Sequence, residues 1–185
     1  MRFTAVIHNA EGKILSQQFN ATELALEGKS YIRHQIEGDL DDFYVSGGEV
    51  LSKGNAPSDG HIFNYATGSW DLDIDLARSL KWDAMKAARN AQERATFEWD
   101  GNVVQCDGSS QVRINAAVQA AIIDDSIADV WTFADNSTQT LNATELKGMG
   151  KALSEHVKGC HERGRMLRAQ IDAATTLQEL EAIVW

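Results

Sequence analysis

One long stripe of apolar residues constrains this chain more than any other feature. From Ala143 to about Ala173, the residues Leu146, Met149, Leu153, Val157, Cys160, Gly164, Leu167 and Ile171 recur at spacings of three or four. That period places them on one face of an α-helix. Asn142 and Glu145 stand three apart at its start. This is the spacing of a capping box, in which two side chains satisfy backbone donors that the first turn leaves unpaired. At 1.5 Å per residue the helix is on the order of 45 Å long, longer than a small domain requires. Gly148, Gly150, Gly159 and Gly164 interrupt it, and each weakens an isolated helix by roughly 1 kcal/mol relative to alanine. Glycine also lets a neighbouring element approach closely. The helix is therefore expected to lean on partners, either a neighbour within the chain or a coiled coil between chains. Leu146, Met149, Leu153, Val157, Leu167 and Ile171 form the expected oligomer or core face.

The segments before it read as hairpins and helices. Trp131 and Phe133 alternate with Thr132 and Ala134, Asp135-Asn136 makes a turn, and Thr138 to Leu141 returns. Phe97 and Trp99 are joined to Val103 and Val104 by Asp100-Gly101, a dipeptide suited to a tight hairpin turn. Trp99, Trp131 and Phe133 are the expected hairpin core. Leu76 to Thr96 lacks glycine and proline, and Leu76, Leu80, Ala84, Ala87, Ala91 and Ala95 mark its expected inner stripe. Ser109-Ser110 is the expected cap of a helix over 112–123. That helix is apolar apart from Arg113, Asn115 and Gln119, and is expected to be buried on most sides. Thr175-Thr176 caps a short final helix.

The composition changes near Asp75, and residues 1–75 are expected to form a small β-rich docking domain. Residues 2–8 alternate, with Phe3, Ala5 and Ile7 on one face, and Asn9 to Gly12 turn the chain into a second strand. Asn20 and Glu23 repeat the capping-box spacing and predict a short helix ended by Gly28. SYIRHQI is a further strand. Gly47-Gly48 and Thr67-Gly68 mark two more hairpins, all expected within one small sheet. The whole is expected to be α+β: a small antiparallel β-sheet domain, then a mostly helical domain over 76–185 with two short β-hairpins and one long helix.

Chemistry is harder to find. A net charge of -10 is unsuited to a phosphate backbone, which requires clustered Lys and Arg, so no nucleic-acid partner is expected. No apolar run approaches the roughly 20 residues of a membrane span, and the N-terminus makes a poor signal peptide. Synthesis in the cytoplasm and no membrane partner are expected. Cys106 and Cys160 are too few for a disulfide framework and are read as free thiols. His156 and Cys160 share a helix face, but without further ligands they make no metal site, and no cofactor is expected. Asp135 could serve a hydrolytic triad, yet at a hairpin turn it is ordinary turn chemistry. No catalytic residue is assigned. Asn20, Asn136 and Asn142 each head an N-x-S/T sequon and are read as two helix caps and a turn. The acidic clusters Asp39, Asp41, Asp42 and Asp71, Asp73, Asp75 are read as turns and a helix start. Tyr31, Phe43, Tyr44, Phe63, Tyr65 and Trp70 pack one sheet face, or else line a ligand surface.

The motifs F-x-W-D-G, from Phe97, and S-x-x-x-I, from Ser110, are followed by W-x-x-x-D-N, from Trp131, and L-x-A-x-E-L, from Leu141. Together they resemble a domain-of-unknown-function family found near the C-termini of bacteriophage tail and tail-fibre proteins. The resemblance spans roughly residues 76–185. FYVSGGEV and FNYATGSW resemble segments of tail-fibre and tail-fibre assembly proteins. The resemblance implies a non-enzymatic virion component of the tail tip, baseplate or fibre attachment. It would contact other tail proteins and form a homo-oligomer, with a trimer expected from fibre symmetry. The alternative is an assembly chaperone absent from the particle, and after it a carbohydrate-binding module. The resemblance carries no catalytic residues to transfer.

Overall fold

The computed structural model describes all residues, 1–185. The chain is α+β and divides into two compact units, Met1–Ala77 and Arg78–Trp185. The division falls inside the first turn of helix α1 (Ile74–Glu93).

In the first unit, β1 (Phe3–His8) lies between β2 (Ile14–Ala21) and β3 (Tyr31–Arg33), with both pairings antiparallel. Alternation along β1 sends Val6 toward Ile14, Ile36 and Val45 on one side. On the other side Ala5 packs with Ala21 and Leu26. β4 (Phe43–Ser46) with β5 (Glu49–Ser52), and β6 (His61–Asn64) with β7 (Ser69–Leu72), are separate two-stranded hairpins. They do not join the expected single sheet. Gly12 shows how one of them docks. It has φ 93, and a Cβ there would come within 2.1 Å of the Val45 carbonyl oxygen. Val45 in turn donates its own N–H to the Gly12 carbonyl at 2.9 Å.

The capping box expected at Asn20 is absent. Asn20 lies in β2 with φ 55, where the pairing slips between Phe3–Ala21 and Ala5–Gln18. A left-handed residue is what such a bulge requires, and Asn tolerates it better than most residues. The short helix shrinks to a 3-10 turn at Leu24–Leu26. Asp73 does start a helix: its carboxylate accepts the N–H groups of Asp75 and Leu76 at 3.0 and 2.9 Å.

In the second unit the hairpin β8 (Phe97–Trp99) and β9 (Asn102–Val104) leads into α2 (Gly108–Ile123). The hairpin β10 (Ala128–Thr132) and β11 (Thr138–Asn142) leads into α3 (Ala143–Ala173). α4 (Leu177–Ala182) follows. The Asn142–Glu145 capping box is formed in both directions, and Thr176 with Glu179 repeats it at α4. Asp135 accepts the N–H and hydroxyl of Ser137 at 2.9 and 2.6 Å, and Asn136 has φ 66. These residues build the turn. The Ala134 N–H reaches across to the Val103 carbonyl at 2.9 Å, linking the two hairpins.

The long helix finds its partner inside the chain. Leu146, Met149 and Leu153 share one core with Ile114 and Ala121 of α2, Phe97, Val104, Phe133 and Leu141. Gly150 is where the helices come closest, since a Cβ there would lie 2.3 Å from a methyl of Val118. The expected inner stripe of α1 is corrected by rotation. Ala77 and Met85 are buried, while Leu80, Ala84, Ala87 and Ala91 face out. Alanine tolerates either environment, so an alanine-rich stripe marks a helix face only weakly.

Leu146 is fully buried. Leu146→Ala should cost about 2–5 kcal/mol, measured by urea denaturation. Exposed Val112→Ala should move the same transition by less than about 0.5 kcal/mol.

Candidate interaction surface

Helix α2 is set by its cap. The Asp107 carboxylate accepts the N–H groups of Ser109 and Ser110 at 2.9 and 3.0 Å. It also accepts their hydroxyls at 2.5 and 2.8 Å. The cap is therefore Asp107, and the two serines expected in that role are its donors. Those hydroxyls, Ser109 first and then Ser110, hold the carboxyl well below the usual carboxylate range.

From this start the helical period directs Ser110, Ile114 and Ala121 inward. The expectation that α2 is buried on most sides fails here. Val112 is 68% exposed, Ile122 66% and Ile123 86%. One side of α2 covers α3, and no element of the second unit covers the opposite side. β10 runs back beside it, with Val130 63% exposed. Between them lies a groove of about 400 Å³ lined by Arg113, Ala116, Ala120, Asp129, Val130 and Trp131. Large apolar side chains left exposed beside a groove are a feature of interaction sites.

Of the two roles expected for the α3 stripe, oligomer face or core, the structure gives core. Leu146, Met149, Leu153, Leu167 and Ile171 are buried, and Val157 is half-buried against the core. The stripe is occupied within the chain, so it is not a free surface for a coiled coil between chains. Phe133 is buried, while Trp99 and Trp131 are half-buried at the margin of the same core.

A polar cluster joins α1 to α3. Glu93 Oε1 lies 3.2 Å from Arg89 Nε and 3.1 Å from His161 Nε2. Both Arg89 Nε and Glu93 Oε1 are shielded from solvent without a well-aligned hydrogen bond, so they meet through charge and proximity. The Glu93 carbonyl accepts from Cys106 Sγ at 3.2 Å and from Gln111 Nε2 at 3.1 Å. His156 stacks on Phe97 at 5.7 Å, and its Nε2 lies 3.0 Å from the Gln92 carbonyl. Both cysteines are free thiols, and burial raises the pKa of each. No three His, Cys, Asp or Glu side chains are grouped so as to hold a metal ion. At the far end, Arg78 Nε and a terminal guanidinium nitrogen donate to the Ala174 carbonyl at 3.0 and 2.7 Å. This contact spans most of the unit, and no local sequence signal marked it.

In the first unit the aromatics pack on one another. Tyr44, Tyr65 and Trp70 meet Phe63 edge-on, with ring centroids 4.8–5.2 Å apart. Lys53 lies over Phe63 and Tyr65 and donates to the Tyr65 hydroxyl at 3.0 Å. The Trp70 indole N–H donates to the Lys53 carbonyl at 3.0 Å.

Two outcomes follow from these contacts. Because the Asp107 carboxyl sits below its unfolded value near 4, its contribution is full above that pH and is lost as pH falls toward the folded value. Asp107→Asn keeps a capping oxygen that does not titrate. Between about pH 4 and about pH 2, wild-type melting temperature should fall further than that of Asp107→Asn. Glu93→Ala leaves Arg89 without its buried counter-charge and should cost about 1–3 kcal/mol in chemical denaturation at neutral pH.

A protein-family model described as "Domain of unknown function (DUF4376)" matches residues 76–184. No curated protein and no solved structure matches the chain. No helix is long and apolar enough to cross a membrane.

Proposed function

The chain belongs to the DUF4376 family, and from that premise we propose that it is a non-enzymatic structural component of a bacteriophage tail. It acts at the tail tip, baseplate or fibre attachment by binding other tail proteins and further copies of itself. The family description assigns no activity. The tail setting rests on the motif series of the sequence, F-x-W-D-G through L-x-A-x-E-L. The single observation that carries a binding role is the uncovered apolar face of α2 beside β10. The motif residues support a scaffold rather than a reactive centre. Phe97 and Leu141 are core, Asp100 and Gly101 form a turn with φ 49 and 76, and Asn142 with Glu145 caps α3.

On this reading the protein is made in the host cytoplasm and carried in the virion. Quantitative mass spectrometry of purified particles tests it. The chain should be present in a fixed ratio to the other tail proteins. Presence in the infected-cell lysate but absence from particles would replace the structural role by that of an assembly chaperone.

A further inference from the structure

We propose that the chain pairs with a second copy of itself through the outward face of α2, with the two helices antiparallel. The pairing rests on the self-association proposed above and on the same face of α2, but not on the tail setting, which the particle measurement tests separately.

Val112, Ala116, Gln119 and Ile123 follow one another at spacings of four, three and four. They lie on the side of α2 opposite Ile114 and Ala121, which are fully buried. The face has bulky apolar ends and a narrow centre. A twofold axis midway along it sets Val112 of each copy against Ile123 of the other. It also sets Ala116 against Gln119, where the small side chain leaves room for the long one. The two helix dipoles then oppose, as favours close approach.

Charge selects the second copy as occupant. The strip is basic near its start and acidic near its end. Arg113 stands in the first turns of α2, while Asp124 caps its C-terminus and Asp129 follows on β10. Arg113 and Asp129 line the same flank, the one that carries the groove. A twofold axis perpendicular to the plane of the paired helices keeps that flank on one side in both copies. Arg113 of each copy therefore comes to the acidic end of the other, beside Asp129, and two equivalent ion pairs form. In a parallel pair the axis would run along the helices and carry that flank to opposite sides of the two copies, leaving Arg113 and Asp129 without partners across the contact. Val130 and Trp131 extend the apolar strip along the same flank.

α2 has 16 residues, about 24 Å of helix. A strip of that length, one helix wide with a strand beside it, belongs to the class below about 1,200 Å² of total buried area. The pair is accordingly a weak, concentration-dependent one, with a dissociation constant on the order of 10 μM.

Sedimentation equilibrium of the full chain from about 1 to about 200 μM tests this. The weight-average mass should climb from 20.3 kDa toward twice that value. Val112→Asp with Ile123→Asp should hold it at one copy, with circular dichroism and melting temperature unchanged, since both side chains are exposed. Arg113→Asp should weaken association at least about tenfold by setting like charges together. Arg113→Asp combined with Asp129→Arg should restore association, which a mere folding defect would not. A single-copy mass throughout the range overturns the proposal. A three-copy mass overturns it as well, because the pairing is twofold. An undiminished pair in the Val112→Asp, Ile123→Asp variant, or no recovery in the charge-exchanged double variant, does the same.

Discussion

The helical unit depends on covering one face of α3. A helix of 31 residues with its apolar side in water would not persist, least of all with four glycines along it. The cover comes from α2 and from the hairpins that precede α2 and α3, and farther along from α1, whose Arg89 lies 3.3 Å from where a Cβ of Gly164 would stand. Gly150 sets the separation of the two helices, because only a missing side chain leaves room for Val118. The hairpin β10–β11 also delivers Asn142 to the helix start in extended conformation, where the capping box closes. Arg78 then ties the start of α1 to the carbonyl end of α3. Each of these contacts would be weak alone, and each is positioned by the same packing.

The uncovered face of α2 follows from the same geometry. α2 is apolar nearly all round, and α3 covers only the side carrying Ile114 and Ala121. In a unit of this size no further layer reaches the other side. Composition alone implies burial on every side, but burial requires a neighbour, and α3 with the adjoining hairpins covers only part of this helix. The surface left over is the one proposed to meet a second copy. Its charges are arranged with opposite signs at opposite ends, which favours a partner running the other way.

The side chains with reactive chemistry are drawn into structure. Asp135 holds a turn through Ser137, His156 lies flat on Phe97, and the Cys106 thiol is tied to a helix-end carbonyl. The first-unit aromatics fill a cluster around Phe63, where Tyr65 and Trp70 direct their polar atoms to Lys53. The Glu93 cluster holds charge close to the core of the helical unit. There it joins α1 to α3, with Arg89 and His161 sharing one carboxylate oxygen.

Much of this was legible in the residues. The extent of α3, its Asn142–Glu145 capping box, the threonine cap of α4, the tight hairpins and the Asp73 helix start are local matters. Each depends on backbone groups within a few residues of one another, and the side chains that satisfy them are near neighbours in the chain. The spacing of the stripe likewise told which face of α3 is apolar. What the residues could not say is what lies against each face. That is why α1 turns a different side inward, why Asn20 serves a bulge instead of a cap, and why three small sheets replace one. It is also why the α3 stripe is core and the α2 stripe is surface. Apolar periodicity marks a face that gains by burial, and only the packed chain decides whether its own elements or another molecule will cover it.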